Sequence, residues 1–201
     1  MGFAFLGEDA WITSHFKRDF VGYAVEVGAS DGMQGSNTLA LEHAGWKVLA
    51  VEANRRFEPG LIAWRSLYRM CACGKEDLDA VDFYVHLTDM GGYSTLDRNF
   101  THPVWHPGPD ADWEKVSVPL RKLDTLLEEV GFPRLDALSI DVEGTELDVL
   151  KGLTFSRWHP KVIVCENWLE QGPVVPYLAD RGYQRVERRN VNDLFVRKAA
   201  D

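Results

Sequence analysis

Short apolar runs bounded by glycine alternate along this chain with stretches of helical spacing. From Val21 to Val27 the residues are apolar and β-branched and end in a Gly-rich turn, the pattern of a parallel strand buried on both faces. Ser36 to Ala44 has helical spacing and stops at Gly45. Trp46 to Val51 repeats the buried-strand pattern and runs into Glu52, Phe57 to Leu67 is helical around Pro59, and Tyr68 to Cys73 reads as a third strand. This β-α-β-α-β order within about fifty residues is the signature of a doubly wound α/β sheet.

The middle of the chain is less regular. Between Ala80 and Leu87, Val81, Phe83, Val85 and Leu87 alternate with Asp82, Tyr84 and His86, which predicts a half-buried strand. A loop from Thr88 to Trp113 follows, rich in Gly, Pro, His and aromatics, and long enough in a compact domain to suggest a substrate lid. Val116 to Leu120 predicts a short strand and Lys122 to Val130 a helix closed by Gly131. The α/β rhythm then resumes with a strand at Ala137 to Ile140, a helix from Thr145 to Lys151, a strand from Val162 to Cys165 and a helix from Pro173 to Arg181 ended by Gly182. Tyr183 to Glu187 and Leu194 to Arg197, joined by Asn190-Val191-Asn192-Asp193, predict a closing antiparallel hairpin.

Size and charge narrow the partners. With 201 residues, 45% of them apolar, a single domain over 1–201 is expected. Against 31 Asp and Glu stand 22 Lys and Arg, a formal charge of −9 that repels a phosphate backbone, so nucleic acid is not an expected substrate. The late basic residues Arg185, Arg188, Arg189, Arg197 and Lys198 read as solvated faces of strands. The first residues lack the basic and apolar regions of a secretory signal, Leu6 argues against myristoylation, and no run approaches the roughly 20 apolar residues of a membrane span. A cytoplasmic protein is expected, with Cys71, Cys73 and Cys165 as buried thiols.

The candidate chemistry begins at Glu26-Val27-Gly28-Ala29-Ser30-Asp31-Gly32. A strand ending in this turn sets a backbone-lined crevice at its carboxyl end, where open α/β sheets bind ligands, and Gly28 and Gly32 permit close approach. About twenty residues on, Glu52 ends the second strand, the position at which nucleotide folds accept ribose hydroxyls. A dinucleotide turn needs a third glycine in register and amides free for pyrophosphate. Here Asp31 and Glu26 would repel one, and they suit a phosphate-free cation such as S-adenosylmethionine. Asp31 also has an ordinary alternative, capping a tight turn. A second constellation, Ser139-Ile140-Asp141-Val142-Glu143-Gly144-Thr145-Glu146, brings Asp141 and Glu143 to the same sheet edge, Asp141 facing the transferring methyl group, while Glu146 fits a role at the helix start.

The chain resembles the FkbM-type methyltransferases. The resemblance rests on Glu26 to Gly32, on Ser36-Asn37-Thr38, on Val51-Glu52-Ala53-Asn54 and on Ile140-Asp141-Val142-Glu143-Gly144-Thr145-Glu146-Leu147-Asp148-Val149-Leu150-Lys151-Gly152, and it runs from about Glu8 to Tyr183. It implies a class I methyltransferase, a Rossmann-like and mostly parallel seven-stranded sheet with helices on both faces, using S-adenosyl-L-methionine to methylate a hydroxyl of a sugar or natural product. It implies that Glu26, Gly28, Ala29, Ser30, Asp31, Gly32, Ser36, Glu52 and Ala53 surround the cofactor, that Cys73 or Gly74 lies beside the adenine, and that Asp141 stands at the reaction centre.

A base for the acceptor hydroxyl has candidates in His86, His102 and His106, of which His102 joins Asp141 and Glu143 in the expected catalytic set, with Tyr93, Trp105 and Trp113 as lid surfaces. Pro103 and Pro107 argue against a helical zinc pair of His102 and His106. Asp141, Glu166 and Asn167 at neighbouring strand ends suit magnesium, similar to the metal-dependent catechol-type methyltransferases, and Glu166 could equally position substrate alone. Two other functions fit parts of the pattern: a nicotinamide-dependent oxidoreductase, disfavoured by Asp31 and the missing glycine, and a non-catalytic partner subunit that keeps the S-adenosylmethionine pocket.

Overall fold

A computed structural model of the chain describes residues 2–88, 92–100 and 112–199. The chain enters through α1 (Glu8–Ser14), then β1 (Tyr23–Val27), α2 (Leu39–His43), β2 (Lys47–Glu52), a 3-10 turn at Arg55–Phe57, α3 (Glu58–Trp64), β3 (Tyr68–Met70) and β4 (Ala72–Cys73). It continues with β5 (Leu78–His86), β6 (Trp113–Arg121), α4 (Leu123–Glu129), β7 (Ala137–Ile140), α5 (Glu146–Lys151), β8 (Val162–Glu166), α6 (Val174–Ala179), β9 (Tyr183–Arg189) and β10 (Asn192–Arg197). Among the described residues the main sheet has seven strands in the order β3-β2-β1-β7-β8-β10-β9. Its first five strands are parallel, and β10 runs antiparallel to both β8 and β9. The expected mostly parallel sheet with a closing antiparallel hairpin is therefore present.

Alternation along the strands assigns the two faces. Ala24, Val48, Ala137, Val162, Val164 and Leu194 turn to one side and pack with Trp11 and Ile12 of α1, Leu41 of α2 and Trp46. Val25, Leu49, Leu138, Ile140, Ile163 and Phe195 turn to the other, against Leu123, Leu126 and Leu127 of α4, Val149 and Leu150 of α5 and Leu178 of α6. Each fully buried leucine of α4 contributes roughly 1.5–3 kcal/mol. Strand β1 lies between β2 and β7, so chain order reverses there, and the crevice at the switch point opens beyond the carboxyl ends of β1, β2 and β7.

Several details depart from the sequence reading. Helix α1 was not expected, because seven residues with Trp11 and Ile12 as their buried apolar pair are too few to display a period. The segment Tyr68 to Cys73 is two strands. Tyr68–Met70 pairs with β2, then Cys71 leaves the main sheet and Ala72–Cys73 pairs with Leu120 and Arg121 of β6. The resulting second sheet, β4-β6-β5, carries β6 as a nine-residue strand rather than a short one. The hairpin turn is Asn190-Val191 alone, with Asn190 at φ +53°, since Arg189 already pairs with Asn192.

Among the basic residues, Arg185 and Arg188 are not simply solvated: both bond the fully buried Asp193, at 3.2 and 2.8 Å. A buried carboxylate needs such partners. No helix among the described residues is long and apolar enough to cross a membrane. All three cysteines are free and buried.

Candidate functional site

The Gly-rich turn hangs from the second strand. The amides of Gly28 and Ala29 both donate to the Val51 carbonyl, at 2.9 and 3.1 Å, while Asp141 N–H donates to the Val27 carbonyl at 2.9 Å. Gly28 sits at φ +80°, and Ser30 also adopts the left-handed region at φ +49°. That twist aims the Ser30 amide at Glu52 Oε2, 2.8 Å away. Asp31 Oδ1 accepts from Met33 and Gln34 N–H, both at 2.8 Å, so one of its oxygens does cap the turn.

Glu26 is saturated by protein groups. Its Oε1 accepts from Asn37 N–H at 2.6 Å, and its Oε2 accepts from Ser36 Oγ at 2.9 Å, Thr38 Oγ1 at 2.7 Å and the Arg65 guanidinium. These bonds hold residues 36–38 out of the helix that the spacing predicted, and α2 begins only at Leu39. Arg65, the buried residue that ends α3, also reaches Glu42 at 3.1 Å. Nothing in the sequence singled out this arginine. A lone Arg after a helix reads as surface until its carboxylate partners are known.

Glu52 and Asp141 form the chemical edges of the crevice. Glu52 accepts from Ser30 and Asn54 N–H, at 2.8 and 2.7 Å. Burial still pushes its pKa up to about 7, with the Asp141 charge adding a little. Asp141 is open to the cavity yet walled by protein at short range. Its pKa rises to about 6 through desolvation, with Glu26 and Glu8 raising it and a hydrogen bond from Glu166 opposing. Glu166, at the end of β8, is held well above the usual carboxylate range by burial and by the charges of Asp141, Glu143 and Glu146. Its Oε2 has no hydrogen-bond partner among the described residues.

Glu143 follows Asp141 in a strained turn. It adopts φ +58°, and its carbonyl accepts from the fully buried Thr95 Oγ1 at 2.8 Å. Glu146 Oε1 accepts from Gly144 N–H at 2.8 Å and Val142 N–H at 3.4 Å, the helix-start role expected for it. A carboxylate oxygen from each of Asp141, Glu143 and Glu166 lies within 4.8 Å of the others. Asn167 is not in this group: its Nδ2 donates to Asp193 Oδ2 at 2.7 Å.

Much of this lines a cavity of about 730 Å³, with Arg65, Glu146 and Glu166 outside its wall. Its wall includes Glu26, Gly28, Ala29, Ser30, Asp31, Ser36, Glu52, Ala53, Cys73, Asp141 and Glu143. Gly32 and Gly74 do not line it; Gly32 packs on Leu61 and Arg65, and Gly74 on Leu120. His86 is buried between Tyr93 and Trp113, with ring centroids 6.1 and 5.0 Å away, and does not line the cavity. His102, His106 and Trp105 lie outside the described residues. The wall also contains groups the sequence did not nominate: Phe5 and Leu6 ahead of α1 and Glu8 at its start, Phe57 and Phe83, and the hairpin residues Asn190–Asn192. Glu8 ties the first and last of these together, accepting from Leu6 N–H at 3.0 Å and Asn192 Nδ2 at 2.9 Å.

A family model described as a methyltransferase FkbM domain matches residues 26–185. The chain is similar to "Methyltransferase sdnD" of Sordaria araneosa, 36% identical over 81 residues that make up 34% of this chain and 31% of that protein. It is similar to "Methyltransferase 1" of Beauveria bassiana (strain ARSEF 2860), 34% identical over 102 residues, 44% of this chain and 38% of the relative. The matched stretches thus span about a third of the length of these curated relatives.

Proposed function

The chain belongs to the methyltransferase FkbM domain family, and from that premise we propose that it is an S-adenosylmethionine-dependent methyltransferase acting on a hydroxyl oxygen of a small molecule such as a sugar or natural product. One observation carries the choice of donor. Among the described residues the cavity wall presents the carboxylates of Glu8, Asp31, Glu52, Asp141 and Glu143, beside Glu26 with its charge matched by Arg65, and no lysine or arginine. Such a wall repels a pyrophosphate and attracts a sulfonium and an ammonium group.

The residues fit this donor. Gly28 and Ala29 give a flat backbone surface, and the Glu52 oxygens, held by two amides, keep lone pairs for ribose hydroxyls. Ala53, Ala72, Cys73 and Phe83 supply an apolar wall suited to a purine. S-adenosylmethionine, when bound, supplies an electrophilic methyl group. The protein's part is to hold an acceptor oxygen in line with that group in a site screened from water, and to receive the hydroxyl proton. With a pKa near 6, Asp141 is ionised at neutral pH and able to take it.

Calorimetric titration with S-adenosylmethionine, its homocysteine product and NAD tests the donor. Micromolar binding of the first two is expected. Absence of binding at millimolar concentration, or tighter binding of NAD, overturns the proposal. Incubation of small-molecule extracts with protein and isotopically labelled donor then identifies the acceptor by its gain in mass; loss of that product in Asp141→Ala is expected, and if the methylated product in cells survives the same substitution, Asp141 is not catalytic and a binding-only role for this chain gains.

A further inference from the structure

We propose that Asp141, Glu143 and Glu166 form a binding site for one divalent cation of the Mg²⁺ or Mn²⁺ class at the acceptor edge of the cavity. The three carboxylates come from different places: the end of β7, the turn after it and the end of β8. One oxygen of each lies within 4.8 Å of the others. Oxygens bound at about 2.1 Å to such an ion stand roughly 3–4 Å apart, so closing on it takes side-chain shifts of less than about 1 Å.

The unpartnered oxygen is the independent sign of a ligand. Glu166 is only 3% exposed, yet its Oε2 has no partner among the described residues. A buried carboxylate oxygen left unpaired is costly and calls for an explanation. Protein cations do not supply one: among the described residues no Lys or Arg forms an ion pair with Asp141 or Glu166, and the nearby Arg185 and Arg188 are taken up by Asp193. The donor set is all hard oxygen with no thiol or imidazole, which favours Mg²⁺ or Mn²⁺ over zinc. Glu143 reaches the group through a left-handed backbone that Thr95 holds in place, the kind of strain that gathers at ligand sites.

Three protein oxygens leave half of an octahedral shell for water and acceptor. On the methyl-transfer reading, which this role presupposes, an ion there binds the acceptor oxygen beside Asp141 and lowers its hydroxyl pKa. Cation binding itself does not depend on that reading, and the test separates them.

Metal-free full-length protein is titrated with Mn²⁺ and free ion followed by electron paramagnetic resonance, with S-adenosylmethionine binding measured separately by calorimetry in chelator. One Mn²⁺ per chain, displaced by excess Mg²⁺ and weakened about tenfold or more in both Glu166→Gln and Asp141→Asn, is expected. The variants are checked for native circular dichroism, and Glu143→Gln serves if either fails to fold. No bound Mn²⁺ at millimolar concentration, or binding unaltered by the substitutions, overturns the site and assigns the Asp141–Glu166 contact to a shared proton alone. Either result leaves the donor titration to decide the methyltransferase reading by itself.

Discussion

The carbonyl oxygen of Asp141 occupies the space in which a side chain on Gly28 would have to begin: an ideal Cβ there would lie 1.6 Å from it. The Gly-rich turn after β1 and the residue that ends β7 are therefore in backbone contact across the switch point, and the size of one residue sets their separation.

Gly28→Ala should abolish donor binding and destabilise the protein by about 3 kcal/mol or more, since about 1–2 kcal/mol of left-handed strain adds to the forced parting of β1 and β7. For a chain of this size that lowers Tm by roughly 6–12 °C. Gly131→Ala separates the two causes. Gly131 is also left-handed, at φ +68°, but a Cβ there meets nothing within 4 Å, so a loss of about 1 kcal/mol with unchanged donor affinity is expected. Equal effects at the two sites would refute the contact argument.

Glu52 should make stability and binding depend on pH. Its folded pKa, about 7, is above the ordinary 4.5. A carboxyl group raised on folding stabilises the native state fully below its unfolded pKa and loses that contribution as pH rises through the folded value. The unliganded protein should lose on the order of 3 kcal/mol from this residue between pH 4.5 and 7 and above. Glu52→Gln removes that share of the slope in urea unfolding at several pH values. Ribose hydroxyls donating to the ionised form should expel the proton, so calorimetry near pH 6.5 in buffers of different ionisation enthalpy should register proton release with wild type and far less with Glu52→Gln.

Arg65 binds the saturated Glu26 and also Glu42. Arg65→Leu would leave a buried carboxylate without its cation and should cost about 3–5 kcal/mol, with residues 36–38 released and donor binding weakened. Lysine should not rescue it, because an ammonium cannot span both carboxylates as a planar guanidinium does. A Tm for Arg65→Leu within a degree of wild type would remove this network from the account of the cavity wall.

At Glu143, stability and activity should move in opposite directions. Glu143→Gly relieves the left-handed strain and one like charge beside Glu166, so a gain of about 1 kcal/mol is expected together with a fall in methyl transfer. Thr95→Val should do the reverse to stability. It strips the Glu143 carbonyl of a buried hydrogen bond and costs about 1–3 kcal/mol. Denaturant midpoints of both variants against wild type check the signs.

Much of the cavity wall was legible because its information is local. Gly28, Ser30 and Asp31 lie in one turn, Glu52 ends a strand of plain apolar pattern, and Asp141 ends another, so strand ends and residue types together marked a crevice. The partners that hold those groups were not legible. Glu26 read as a ligand for the donor's charge, while its bonds run to Ser36, Asn37, Thr38 and Arg65, up to 39 residues away. The split at Cys71 was hidden for a related reason: Tyr68 to Cys73 is uniformly strand-like, and which sheet each half joins depends on β6, some fifty residues later. Phe5, Leu6 and Glu8 gave no signal, since two residues ahead of a short helix and the one that starts it have no period to read.

That split at Cys71 bears on how such a protein diversifies. Among the described residues the long hairpin of β5 and β6 pairs with the protein's other strands through β4 alone, two residues in length. Yet it contributes Phe83, and the loop between its strands contributes Tyr93, Ser94 and Leu96, to the cavity. A hairpin moored so lightly can be lengthened, shortened or exchanged without shifting the register of the seven-stranded sheet. Selection can then remodel that part of the cavity wall while the turn at Gly28, fixed by backbone contact, stays where it is.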